Sequence, residues 1–156
     1  MFDRILLPLD GSQLSEQSLP MVQDLALRYG STIHLLRVVQ SDSEVDDIHE
    51  SINYRLADME RENTRRVNEA RLERAKNYLE EVRSRLVEAG ANVDEPVTIR
   101  QGEPSNAIIE HVKSNGIDLI AMSTHGYGGL RRLLVGSVAD KVVRSCDVPV
   151  ILNPCR

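Results

Sequence analysis

Apolar residues along this chain come in two patterns. Five short runs are almost continuously apolar: residues 4–9 (RILLPL), 31–39 (STIHLLRVV), 93–100 (VDEPVTIR), 118–123 (DLIAMS) and 148–153 (VPVILN). Runs of that length predict strands of a parallel sheet covered on both faces. Between them the apolar positions recur at helical spacing. A first helix follows Ser12 and ends at Gly30, with Val22, Leu25, Ala26 and Tyr29 on one face. Pro20 lies inside it, so the helix either kinks there or starts near it. A second carries Leu72, Ala75, Leu79, Val82 and Leu86 and ends before Gly90, with Glu62/Arg66 and Glu81/Arg85 placed as i,i+4 ion pairs. A third runs from Pro104 at its first turn to a stop before Gly116. A fourth starts with Ser137 as N-cap and Asp140 three residues on, and offers Val138, Val142 and Val143 to the sheet.

The order β-α-β-α-β-α-β-α-β with right-handed crossovers predicts an α/β fold: one doubly wound open sheet of five mainly parallel strands in the order 3-2-1-4-5, with four helices on its two faces. The whole chain, 1–156, reads as a single domain with a polar insertion at about 41–61 that opens on the acidic stretch SDSEVDDIHES. Open sheets of this kind bind ligands outside the carboxyl ends of their strands, where the strand order reverses. The segments to read for function are therefore PLDGS after the first strand, RVVQ after the second and the loop after the fourth.

That loop, MSTHGYGGLRRLLVGSVADK at 122–141, holds four of the chain's nine glycines. Glycine-rich loops between a strand and a helix cradle phosphate, because bare backbone approaches an anion closely and a helix N-terminus favours negative charge. Neither familiar version fits. A Walker loop needs Lys where Ser137 follows Gly136, and G-x-G-x-x-G fails at Arg131.

Composition narrows the partners. A net charge of −5, an aromatic share of 3% and the absence of Trp argue against a nucleic-acid surface, which needs a basic groove and stacking rings. No stretch approaches the ~20 apolar residues of a membrane span, and MFDRILLPLDGS lacks a signal peptide's layout. Cys146 and Cys155 form no C-x-x-C pair and suit a reducing compartment, so a cytoplasmic protein is expected. An anionic ligand would need a local positive site, from a helix N-terminus or from Arg131 and Arg132.

The segments at the strand ends carry a resemblance. ILLPLDGS, the RVV strand end, GEP before the third helix and DLIAMSTHGYGGLRRLLVGSVADKVVRSCDVPVILNP together resemble the universal stress protein family over nearly the whole chain. The family's nucleotide signature, G-x2-G-x9-G-(S/T), reads here Ser123-x2-Gly126-x9-Gly136-Ser137, with spacing intact and Ser in place of the first Gly. The resemblance implies an adenine nucleotide, ATP or else ADP, AMP or cyclic AMP, in the crevice. Asp10 would then take the ribose hydroxyls, Pro8 and Leu9 line the adenine pocket, Val38 meet the adenine edge through its backbone and Met122 pack on the ring. Ser123 opens the loop, and Gly126, Gly136, Ser137 and Val138 would face the phosphates. Mg²⁺ would be held through those phosphates while keeping several waters.

Each of these residues also has a plainer reading. Asp10 could cap the first helix beside Ser12; Ser137 is a natural N-cap; Gly128 and Gly129 suit turns, and His125, Arg131 and Arg132 suit a solvated loop. His34, His49 and His111 are isolated. With no visible catalytic Lys or general base, the expected activity is little or no ATP hydrolysis, in a cytosolic regulator of the stress response. The alternative is a nucleotide-free dimeric interaction module of the same family. LDGSQLSE carries neither the S-G-G-x-D-S loop nor the H-x-G-H motif of related pyrophosphatases and nucleotidyl transferases. Pro149 puts the last strand at a sheet edge, where Val150 and Leu152 invite pairing with a second copy; the family resemblance likewise implies a homodimer through this strand.

Overall fold

The computed structural model describes residues 2–39, 54–124 and 136–154, with side chains in the long helix from residue 61 onward. Six strands, β1 (Arg4–Pro8), β2 (Thr32–Val39), β3 (Asn92–Val93), β4 (Thr98–Gln101), β5 (Leu119–Ser123) and β6 (Val150–Asn153), form one parallel sheet in the order β3-β2-β1-β5-β6, with β4 also on β2. This is the predicted doubly wound sheet. The segment expected as one third strand is divided into β3 and β4, which pair with opposite ends of β2. Pro96, which has no N–H to give to a ladder, lies in the gap between them.

The helices are α1 (Gln13–Glu16), α2 (Leu19–Tyr29), α3 (Tyr54–Glu88), α4 (Pro104–Asn115) and α5 (Ser137–Ser145). Pro20 does not kink the first expected helix. It sits in the first turn of α2, and the preceding short α1 is a separate helix capped by Ser12. Both α2 and α4 end on glycines in the left-handed region, Gly30 at φ 70° and Gly116 at φ 60°, as the sequence predicted. Of the expected insertion, residues 54–61 are the opening turns of α3; the rest lies outside the described residues.

Strand alternation divides the core in two. Ile5, Leu7, Ile33, Leu35, Leu119 and Ala121 face α2 and α3, where Val22, Ala26, Leu79, Val82 and Leu86 cover them. Leu6, Leu36, Ile120 and Met122 face α4 and α5, against Ile108, Val112, Ala139 and Val142. The helical period placed Ala75, Leu79, Val82 and Leu86 correctly, and all four are buried. Tyr29 is 57% exposed and stacks edge-on against Phe2 instead of entering the core. Glu62 does pair with Arg66 at 3.1 Å, but Arg85 reaches across to Glu16 of α1 at 3.0 Å.

From β1 the chain winds through β2 to β3 and β4 on one side, then crosses back to place β5 and β6 on the other. The order reverses between β1 and β5. That crevice lies at the carboxyl ends of β1 and β5.

Candidate functional site

β1 ends at Pro8, Leu9 still donates its N–H to the Leu36 carbonyl, and the backbone then turns sharply. Asp10 holds this turn: its Oδ1 accepts the Ser12 N–H at 2.9 Å and the Ser12 hydroxyl at 2.6 Å. This is an Asx turn, the local bond that short acidic side chains make two residues ahead. Ser12 in turn caps α1, its Oγ accepting the Ser15 N–H at 3.1 Å. Gly11, between them, has φ 79°, a conformation that glycine adopts without cost.

The side chains named from the sequence separate by strand parity. Val38, Met122 and Val138 border a single apolar cluster on the α4/α5 side, and Pro8 shares parity with Leu6 on that face. Leu9 is on the other side, buried in the α2/α3 core at 3% exposure, so only its backbone is available at the strand end. Ser123 is buried and shares parity with Ala121, away from Met122. It lies within β5, where extended backbone makes no demand for glycine.

The start of α5 differs from expectation. Its N-cap is Gly136, not Ser137, and among the described residues no side chain caps the helix. Ser137 is the first helical residue and is exposed. Gly136 is drawn to the end of β5 by its N–H, which donates to the Thr124 carbonyl, and Thr124 in turn donates to Asn153. A glycine cap has no oxygen to offer the first-turn N–H groups. Those donors start next to the end of β5 and carry the positive end of the helix dipole. Gly126, with Gly128, Gly129, His125, Arg131 and Arg132, lies outside the described residues, as do His49 and Cys155.

Two features of the rim were not read from the sequence. Glu103, in the GEP stretch, caps α4 through its carboxylate, which accepts the N–H groups of Ser105 at 3.2 Å and Asn106 at 2.9 Å and the Ser105 hydroxyl at 2.7 Å. Lys141 of α5 reaches the same carboxylate at 3.2 Å, tying the two helices together. The Ser105 hydroxyl above all, with these N–H groups and Lys141, holds the Glu103 carboxyl down at about 2. The other feature is Arg37 of β2, which turns to the α2/α3 side and lays its guanidinium against Gly11. Its Cζ stands 5.2 Å from the centre of the Tyr78 ring of α3. Arginine in a strand otherwise reads as a solvated residue, and only the glycine next to Asp10 hinted that something packs there.

Away from this crevice, two of the isolated histidines are buried between β2 and α4. His34 Nδ1 is 2.9 Å from Asp94 Oδ2, and His111 Nδ1 meets Asn115 at 3.2 Å. Burial pushes both below their ordinary range, His111 to about 4. Among the described residues no cluster of three or more His, Cys, Asp or Glu side chains is placed to hold a metal ion, and no helix is long and apolar enough to cross a membrane.

A parallel doubly wound sheet, with an uncapped helix N-terminus and a sharp acidic turn flanking its switch point, defines the α/β proteins that take ligands at the strand ends. The chain belongs to the universal stress protein family, whose sequence pattern it matches over residues 1–154. It is 26% identical to Universal stress protein MJ0577 of Methanocaldococcus jannaschii, with 97% of this chain and 94% of that protein covered. It is 32% identical to a Thermus aquaticus universal stress protein encoded 3′ of a QAH/OAS sulfhydrylase, covering 97% and 98%. Among solved structures, MJ0577 superposes with a TM-score of 0.78 over 100% of this chain and 98% of that one, at 24% identity. A universal stress protein in complex with cAMP gives 0.65 at 17% identity, covering 99% and 98%. An Arabidopsis thaliana family protein with AMP bound gives 0.63 at 20%, covering 99% and 92%.

Proposed function

We propose that this protein is a cytosolic regulator of the stress response that binds an adenine nucleotide across the carboxyl ends of β1, β2 and β5, with little or no hydrolysis. The observation that carries the reading is the start of α5. A nine-residue helix with a glycine cap, no capping side chain among the described residues and an exposed Ser137 suits an anion. The apolar border formed by Val38, Met122 and Val138 suits a flat purine beside it. Asp10 stands in the turn just after β1, and a carboxylate accepts from hydroxyl groups, so ribose hydroxyls are a fitting partner. Gly126, Ser123 and the backbones of Pro8 and Leu9 complete the site in this reading. That family structures hold cAMP and AMP supports an adenine nucleotide as the ligand class, and ATP is the form we assign, with Mg²⁺ carried on its phosphates.

The described residues at the crevice offer no catalytic Lys, and in this reading phosphoryl transfer would rest on positioning alone. Turnover below ~1 s⁻¹, the low end of ordinary enzyme rates, is expected. Two copies joined along β6 are the proposed assembly.

The test is direct. Protein purified without added nucleotide is denatured, and the supernatant is analysed by mass spectrometry. Separately, melting is followed with and without millimolar Mg-ATP. ATP or ADP near one per chain, or a melting temperature that rises with ligand as mass action requires, is the expected result. An empty supernatant together with an unmoved melting temperature would overturn nucleotide binding.

A further inference from the structure

Arg37 is partly exposed, yet its guanidinium is drawn inward to the α2/α3 side of the sheet. Its Nε is buried with no hydrogen-bond partner among the described residues. What the side chain does have is two flat contacts. One is the Tyr78 ring, with Cζ 5.2 Å from the ring centre, within the range where a guanidinium is held by the π face. The other is the backbone of Gly11. A Cβ built there would stand 3.0 Å from Cζ and 3.1 Å from Nη2, and would overlap Nη1. The guanidinium thus fills the space that any other residue at position 11 would need, and Gly11 is the centre of the Asp10 turn. The Tyr78 hydroxyl is itself buried, and that burial first, then the nearby Glu16 charge, pushes it well above its ordinary range. The layers run α3, Tyr78, Arg37, Gly11, with the carboxylate of Asp10 in the turn that Gly11 makes.

We propose that Arg37 is a positioning residue for the nucleotide site: wedged between Tyr78 and Gly11, it fixes the turn that aims the Asp10 carboxylate at the ribose. The inference rests on the nucleotide reading above. Arg37 itself does not touch the ligand; it acts through the turn. Two consequences separate this role from a contribution to stability alone. Loss of Arg37 weakens recognition of the ribose hydroxyls in particular, and its effect vanishes once Asp10 is gone.

The experiment compares binding of Mg-ATP and of its 2′,3′-dideoxy analogue by calorimetry, using wild type, Arg37→Met, Asp10→Ala and the double variant. Wild type should prefer ATP by about tenfold, the scale of one well-placed hydrogen bond to a charged group. Arg37→Met should lose most of that preference while binding the dideoxy analogue nearly as wild type does, and in the Asp10→Ala background it should change nothing further. If Arg37→Met does not fold, Tyr78→Leu, which removes the ring and leaves the arginine, should show the same loss of preference. Equal weakening of both nucleotides, or additive losses in the double variant, would overturn the positioning role while leaving nucleotide binding intact. Wild type binding neither nucleotide would overturn the reading beneath it and this inference with it.

Discussion

At the scale of single residues, the molecule sets its polar side chains to work on local backbone first. Asp10 is both the turn-former and the proposed ribose acceptor, so its substitution should show two separable effects. Asp10→Ala removes two hydrogen bonds to Ser12 and should cost about 1–2 kcal/mol of stability, measurable by urea unfolding. Asp10→Asn keeps one acceptor oxygen and should recover much of that stability. Glu103 and His111 make stability depend on pH in different windows. His111 ordinarily titrates at 6.5 and at about 4 when folded, because burial first, and then Arg100 and His34, disfavour its charge. Between those values the unfolded chain binds a proton that the folded chain refuses, so stability falls as pH drops from 6.5 to 4, by up to about 3 kcal/mol. Glu103 ordinarily titrates at 4.5 and at about 2 when folded. Its contribution is present above 4.5 and is lost as pH falls towards 2. Unfolding midpoints of His111→Leu followed from pH 7 to 3 should show the upper slope flattened and the lower one unchanged. An unchanged upper slope would mean that other groups control it.

At the scale of elements, what could be read in the sequence was whatever a local rule decides. Gly30 and Gly116 end their helices because a left-handed residue is needed there, and Ala75, Leu79, Val82 and Leu86 follow from period alone. The third strand was harder: VDEPVTIR is apolar enough to be one strand, and whether the chain leaves the sheet around Pro96 is settled by how β2 is shared. The start of α5 was misread for a related reason. Ser137 followed by Asp140 satisfies the capping rule, yet Gly136 is held at the end of β5 by Thr124, which fixes the cap one residue earlier. Asp10, Met122 and Gly136 could be proposed from the sequence because they fall at or beyond the carboxyl ends of predicted strands. Arg37 could not be, since its contacts come from positions 11 and 78, far apart in the chain. The capping assignment carries a prediction. Gly136→Val places a branched side chain at the cap and should weaken Mg-ATP binding at least tenfold. Ser137→Ala leaves the glycine cap and the helix intact and should cost less than ~1 kcal/mol of stability, because the hydroxyl caps nothing.

At the scale of the whole molecule, the proposed assembly turns on one edge of the sheet. β6 pairs only with β5 among the described strands. The Pro149 carbonyl accepts from Ile120 and the Asn153 carbonyl from Thr124, so positions 149, 151 and 153 turn their backbone groups towards β5. In a parallel ladder the alternate residues then turn theirs the other way, which leaves the N–H and C=O groups of Val150 and Leu152 on the open edge. Their side chains are only half-buried, at the margin of the α4/α5 core. An edge with unspent donors and apolar flanks is a template for another copy of itself. Leu152→Pro would delete one outward N–H and no bond to β5, with a modest packing loss. Sedimentation equilibrium at micromolar concentration should find wild type as a dimer and Leu152→Pro shifted at least tenfold towards monomer, while its far-ultraviolet circular dichroism stays that of the wild type. Wild type sedimenting as a monomer would remove the edge as an interface. A dimer indifferent to Leu152→Pro would move the contact to another face.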